Sequence, residues 1–218
     1  MKKFLALLLS AMMLLGCTAM AEEAAPAGLT KNIVILFTSD VHAGLDQGWG
    51  YTGLAAVRDS YALNNHVVLV DNGDAIQGET IGTMTDGKAL VELMNVVGYD
   101  VAVPGNHEYD YGMDNFLSLA NDVAQYPYVS ANFAYNDVPV FAPYIIKECD
   151  GVKVGFVGVT TPKTITSSTP TYFQDENGNY VYGFCQADTG AKFYAAIQSA
   201  VAAARAEGAQ SVIICGHL

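Results

Sequence analysis

An α/β domain, with sheet inside and helices outside, is what this sequence predicts. Two observations carry the prediction. Short apolar runs rich in β-branched residues alternate with helix-like windows, and polar residues of metal-ligating type recur where those runs end. With 218 residues, 51% of them hydrophobic, the chain has ample material for one buried core.

The elements follow in order. Lys2 and Lys3, then the apolar residues 4–16, read as an export signal over residues 1–21, too short to span a bilayer. Ala19-Met20-Ala21 fits a cleavage site that leaves Glu22 first, whereas "LLGC" (14–17) resembles a lipobox in which Cys17 carries a lipid anchor. Either reading takes the protein out of the cytoplasm, to the medium, the cell surface or a periplasm. Residues 22–30 are a linker, and 31–218 form the folded domain.

"NIVILFT" (32–38) is a continuous apolar run, as in a strand buried on both faces. Similar runs lie at 66–71, 100–105, 128–133 and 211–216. Residues 144–160 read as a hairpin turning at Asp150-Gly151. Helices are expected over 52–64, 87–97 and 113–124. A fourth runs from Asp188, as N-cap, to about Glu207, with Phe193, Ile197, Ala200, Val201 and Ala204 on one face and Gly208 as its stop. Residues 166–184 have no apolar period and many turn residues, so they form an excursion loop with room for a small hairpin.

Composition narrows the function. Ten basic residues against 22 acidic ones exclude nucleic acid as a partner, because a polyanion needs a positive field. A small anionic substrate would need local positive charge from another source, usually a metal ion. Cys149, Cys185 and Cys215, the cysteines beyond the signal, are odd in number and lack metal-type spacing, so they read as small buried apolar residues rather than a disulfide framework. His66 opens a strand without companions and reads as structural.

The remaining polar residues cluster at strand ends. Asp40 and His42 follow the first run in "TSDVHAG", and Asp74 follows the second in "DNGDAIQG". Asn106, His107 and Asp110 follow the third in "PGNHEYDYG", and His217 ends the last in "GHL". In an α/β sheet the carboxyl ends of strands face one crevice, so four distant segments converge. Any one of these residues alone would pass as a cap, a turn residue or a satisfied histidine; the ordered set would not. Carboxylate, imidazole and amide oxygen suit zinc, manganese, iron or cobalt. Asp40 and His42 can share one ion, and the two oxygens of Asp74 can bridge a pair. Two ions about 3.5–4 Å apart clamp the attacking and leaving oxygens in phosphoryl transfer.

"TSDVHAG", "NGDAIQG", "GNHEYD" and "GHL" together resemble the calcineurin-like metallophosphoesterase signature. "VGFVGVTTPKT" (154–164) and 168–184 are similar to its exported 5′-nucleotidase branch. The resemblance covers about residues 31–218 and implies a four-layer α-β-β-α sandwich, incomplete at its C-terminal end. It implies Asp40 and His42 on a first ion, Asp74 bridging, and Asn106 and His217 on a second. His107 would be the non-ligand histidine at the phosphoryl or leaving-group oxygen, with Asp110 orienting its ring; Glu108 reads as a residue that supports the ligands from behind or structures the loop. Ala43 stands where the family usually carries glycine. The family draws its remaining ligands from a later glycine-histidine motif and its nucleoside contacts from a further domain. Both would lie beyond Leu218, so the chain is expected to be cut within the catalytic domain. The activity implied is hydrolysis of nucleotide phosphate monoesters by metal-activated water. A cyclic-nucleotide or nucleotide-sugar phosphodiesterase is the alternative within the family. A truncated metal- or nucleotide-binding surface protein is the alternative outside it. Trp49 and Tyr51 offer aromatic surface for either a substrate or the core.

Overall fold

The computed structural model describes residues 28–186 and 189–218. The export signal, Cys17, most of the linker and Asp188 lie outside the described residues. No helix among the described residues is long and apolar enough to cross a membrane.

Two three-stranded sheets pack face to face. The first holds β1 (Asn32–Thr38), β2 (Asn65–Asp71) and β3 (Val101–Ala102), all parallel. The second holds β6 (Tyr144–Cys149), β7 (Val152–Thr160) and β9 (Ser211–His217), with β6 antiparallel and β9 parallel to β7. Strand alternation explains how each sheet buries two faces. Val68 and Val70 of β2 meet Val154 and Phe156 of β7 and Cys215 of β9 in the layer between the sheets. Leu69, between the two valines, points outward to α1 (Gly50–Ala62) and α3 (Lys88–Val97). On the far side, Val157 and Val159 meet Ala200, Phe193, Ile197 and Val201 of α6 (Ala191–Ala206). Helix, sheet, sheet and helix thus form four layers.

Local sequence sets the element ends. Asp150 and Gly151 both adopt positive φ, 50° and 80°, the conformation a two-residue hairpin turn needs between Cys149 and Val152. In α3, Leu90, Val91, Met94 and Val97 share the buried face, and Gly98 in the left-handed conformation ends the helix.

Several boundaries differ from expectation. The run at 100–105 pairs as a strand only over Val101–Ala102. Residues 128–133 form no strand, because their partners change: Val129 N–H donates to Ala102 O of the first sheet, but Ser130 and Ala131 donate to Ala142 and Gly158 beside the second. This segment therefore stitches the two sheets together. The helix begun at α4 (Met113–Ser118) continues as a π-turn over Leu119–Val123. The last helix starts at Ala191 behind a left-handed Gly190. A short α2 (Thr80–Met84) and α5 (Thr164–Ser167) had no sequence signal long enough to read. The excursion loop pairs Gln174 with Tyr180, and its β8 (Tyr182–Gly183) joins β4 (Ala134–Tyr135) and β5 (Val138–Pro139) in a small third sheet.

The stitch sets a tight constraint on β7. A Cβ at Gly158 would lie 2.0 Å from Val129 O and 2.5 Å from its carbonyl carbon, both backbone atoms. Gly158→Ala is expected to destabilise the fold by about 1–3 kcal/mol, the usual range for overpacking, read as a lower denaturant midpoint with an unchanged slope.

Candidate metal centre

Parallel pairing brings the site together. Thr38 lies opposite Asp71, Asp71 opposite Ala102, and Thr160 opposite His217, so the segments after β1, β2 and β3 and the end of β9 sit at one end of the sandwich. The first two loops are joined by backbone bonds: Asp40 N–H donates to Gly73 O at 3.0 Å, His42 N–H to Asp74 O at 2.9 Å, and Ala43 N–H to Ala75 O at 2.9 Å. These bonds hold four non-glycine residues in the left-handed region, with φ of 56° at Asp40, 47° at His42, 57° at Ala43 and 58° at Asp74. Such strain costs about 1–3 kcal/mol per residue and persists where the surroundings over-determine it, typically at functional sites. Ala43 occupies a conformation that suits glycine better.

Asp74 is the centre of the arrangement. Its Oδ1 accepts His107 N–H at 2.8 Å, which leaves Oδ2 facing the crevice. His42 Nε2 lies 3.7 Å from that oxygen and His217 Nε2 3.2 Å. His217 Nε2 is also 3.1 Å from Asn106 Oδ1. Ligand atoms of Asp40, His42 and Asp74 all lie within 4.8 Å of one another. The Asp74 side chain is 3% exposed and His42 38%, so the crevice opens on the His42 side.

The three histidines share one device. His217 Nδ1–H donates to Asn72 O at 2.9 Å, His42 Nδ1–H to Gln77 O at 3.2 Å, and His107 Nδ1–H to Asp110 Oδ2 at 2.6 Å. Each bond commits Nδ1, so that Nε2 is the ring nitrogen turned toward the crevice, as metal-ligating and acid-base histidines require. The His42 and His107 rings stand 5.4 Å apart at 65°. The hydrogen bond His217 Nε2–H donates to Asp74, opposed by burial, pushes His217 up to about 9. Burial alone would raise Asp74, but His217 and the His107 N–H outweigh it and lower its carboxyl. A histidine nitrogen converging with a carboxylate and an amide oxygen is a donor set that a divalent cation fits.

Two buried carboxyls shape the loops. Glu108, fully buried, accepts N–H groups from Asp74 and Ala75 at 2.8 Å each and from Gly105 at 2.6 Å. Burial and the charge of Asp74 push its carboxyl up, and the N–H donors pull against them. The contact is close: a Cβ on Gly105 would lie 2.2 Å from Asp74 Oδ1, so only glycine fits. Asp71, the last residue of β2, accepts Thr38 Oγ1–H at 2.9 Å and Gly73 N–H at 3.2 Å. Burial, then the charge of Glu108, raises it to about 8. Its polar ending to an apolar run was the signal available.

The other residues singled out in the sequence fall elsewhere. His66 Nε2 lies 2.9 Å from Asp150 Oδ2, at the opposite end of β2 from the crevice. Tyr51 is core, packed edge-on to Tyr99 at 6.2 Å, whereas Trp49 is 78% exposed beside a cavity of about 490 Å³ that Asp40 also lines.

Comparison with known proteins decides the family. The calcineurin-like phosphoesterase profile matches residues 33–218. The chain belongs to the calcineurin-like phosphoesterase family. Its relatives include 5′-nucleotidases and 2′,3′-cyclic-nucleotide phosphodiesterases. It is 33% identical over 174 residues to the snake venom 5′-nucleotidase of Gloydius brevicauda, covering 71% of this chain and 29% of that protein. It is 34% identical over 164 residues to the 2′,3′-cyclic-nucleotide 2′-phosphodiesterase/3′-nucleotidase of Salmonella typhimurium, covering 62% and 25%. Among solved structures, the calcineurin-like phosphoesterase YfkN of Bacillus subtilis superposes with a TM-score of 0.67 at 26% identity, over 84% of this chain and 61% of that one. The 5′-nucleotidase precursor of Thermus thermophilus gives 0.68 at 26%, over 84% and 36%. The chain thus spans under a third of the length of both sequence relatives.

Proposed function

We propose that this chain is the catalytic part of an exported, two-metal phosphoesterase that hydrolyses nucleotide phosphate monoesters. One observation carries the reading: Asp74 Oδ2 lies between His42 Nε2 and His217 Nε2, each ring anchored through its other nitrogen. Asp40 and His42 would hold one divalent ion, Asn106 and His217 the other, and Asp74, its Oδ1 accepting His107 N–H, would serve both. Zinc, manganese, iron and cobalt all suit these donors. When bound, the ions supply the positive charge and the acidified water that phosphoester hydrolysis needs.

The chain's own residues do the rest. His107, with Nδ1–H committed to Asp110, would in its protonated form present Nε2–H to the phosphoryl oxygen or give that proton to the leaving oxygen. Asp110 holds that ring in one orientation. The nucleotide class rests on relatives named 5′-nucleotidase in snake venom and in Bos taurus. Export rests on the sequence of residues 1–21. The Salmonella relative favours a second reading within the family, a 2′,3′-cyclic-nucleotide phosphodiesterase.

The test is release of phosphate from 5′-nucleoside monophosphates, with 3′-monophosphates and 2′,3′-cyclic nucleotides in parallel, by the protein purified from its source. Metal-dependent turnover is expected, abolished by a chelator and restored by manganese or cobalt. His107→Ala is expected to lower kcat about 10²–10⁴-fold. Chelator-insensitive turnover, or nucleotide binding without turnover, would sink the reading.

A further inference from the structure

The excursion loop after β7 reaches back to the His107–Asp110 pair. Asp110 Oδ2 takes His107 Nδ1–H at 2.6 Å, and its other oxygen, Oδ1, accepts Ser168 Oγ–H at 2.8 Å. Both carboxylate oxygens are thereby committed, one to the imidazole and one to the loop. A partly exposed carboxylate held by one hydrogen bond can rotate about its terminal torsion, which is broad and roughly two-fold; a second bond on the other oxygen fixes its plane.

The loop itself is anchored. Ser168 follows α5 and its N–H donates to Thr164 O at 3.2 Å. Two residues on, Pro170 opens a 3₁₀ turn that ends at Phe173. Phe173 is fully buried, its ring 5.3 Å from Tyr109 and 5.4 Å from Phe184, and Phe184 lies 5.5 Å from Tyr109. Tyr109 belongs to the same short turn, His107–Tyr109, that presents His107. The loop therefore grips this turn twice, by aromatic packing beneath it and by Ser168 at its end.

We propose that Ser168 is a positioning residue for hydrolysis, pinning the Asp110 carboxylate so that Asp110 holds the His107 ring in line with the reacting phosphoester. The proposal rests on the role given to His107 above. Ser168 bonds Asp110 rather than His107, so its effect on the ring passes through Asp110. Supporting partners one shell out from the reacting groups typically change activity 10–100-fold, and small misplacements of a catalytic group cost a similar factor.

The experiment is a double-mutant cycle on the protein purified from its source, with Ser168→Ala, His107→Ala and their combination. Each is assayed on a nucleoside 5′-monophosphate and on p-nitrophenyl phosphate, whose leaving group needs little protonation. Ser168→Ala is expected to lower kcat on the nucleotide about 10–100-fold with KM little changed, and to lower it less on the aryl ester. Added to His107→Ala it should cost nothing further, metal content should be unchanged, and Ser168→Thr should restore much of the loss. The His107 Nδ1–H proton resonance should shift in Ser168→Ala and return in Ser168→Thr. Full activity in Ser168→Ala, or a loss that adds to that of His107→Ala, overturns the proposal and leaves the role of His107 standing. Full activity in His107→Ala overturns that role, and the proposal with it.

Discussion

Asp74→Asn is expected to remove nucleotide hydrolysis while leaving the fold intact. The amide can keep the bond from His107 N–H through its oxygen, so the loop retains its anchor. Its nitrogen then replaces Oδ2 between His42 Nε2 and His217 Nε2, where a negative acceptor stood. The proposed bridging position loses one charge and gains a donor that repels a cation. Loss of metal-derived stabilisation worth several kcal/mol corresponds to a fall in kcat/KM of at least about a thousandfold. Turnover and metal content, measured on the same preparation, check this: both should drop, with the circular dichroism spectrum unchanged.

The second large effect is on stability. Glu108→Ala leaves the N–H groups of Asp74, Ala75 and Gly105 without their acceptor in a fully buried site. Leaving a buried donor unsatisfied costs about 1–3 kcal/mol, so the variant should lose roughly 3 kcal/mol or more, read as a lower unfolding midpoint. Glu108→Gln separates the causes. It fills the same space, but its NH₂ group meets N–H donors, so it should rescue only part of the loss. Full rescue by glutamine would mean that packing, not acceptance of those N–H groups, is what Glu108 contributes.

How much of this was legible in the sequence depended on whether the signal was local. The runs at 32–38, 66–71 and 211–216 were readable because they are continuously apolar, although burial on both faces holds only for β2: β1 and β9 are edge strands in their sheets, with Phe37 68% and Ile214 54% exposed. The site residues were readable because they interrupt those runs at the same end. Residues 128–133 have the composition of a strand but divide their hydrogen bonds between two sheets, which no local pattern encodes. Ser168 was invisible for the opposite reason. It stands in a polar run of serine and threonine, and only the packing of Phe173 on Tyr109 sets it apart. Asp71 and Glu108 sat in plain view beside Asp74 and His107, but their roles depend on burial, which sequence spacing does not give. The anchoring of Asp74 by the bond from His107 N–H to Oδ1, between residues of different loops, also had no local sequence signal.

The most direct test of a two-metal site is anomalous diffraction from crystals of the manganese-loaded protein purified from its source. The expected result is two peaks about 3.5–4 Å apart, on either side of Asp74 Oδ2, one within bonding distance of His42 Nε2 and the other of His217 Nε2. A single peak, or peaks remote from Asp74 in a protein that still hydrolyses nucleotides, would contradict it.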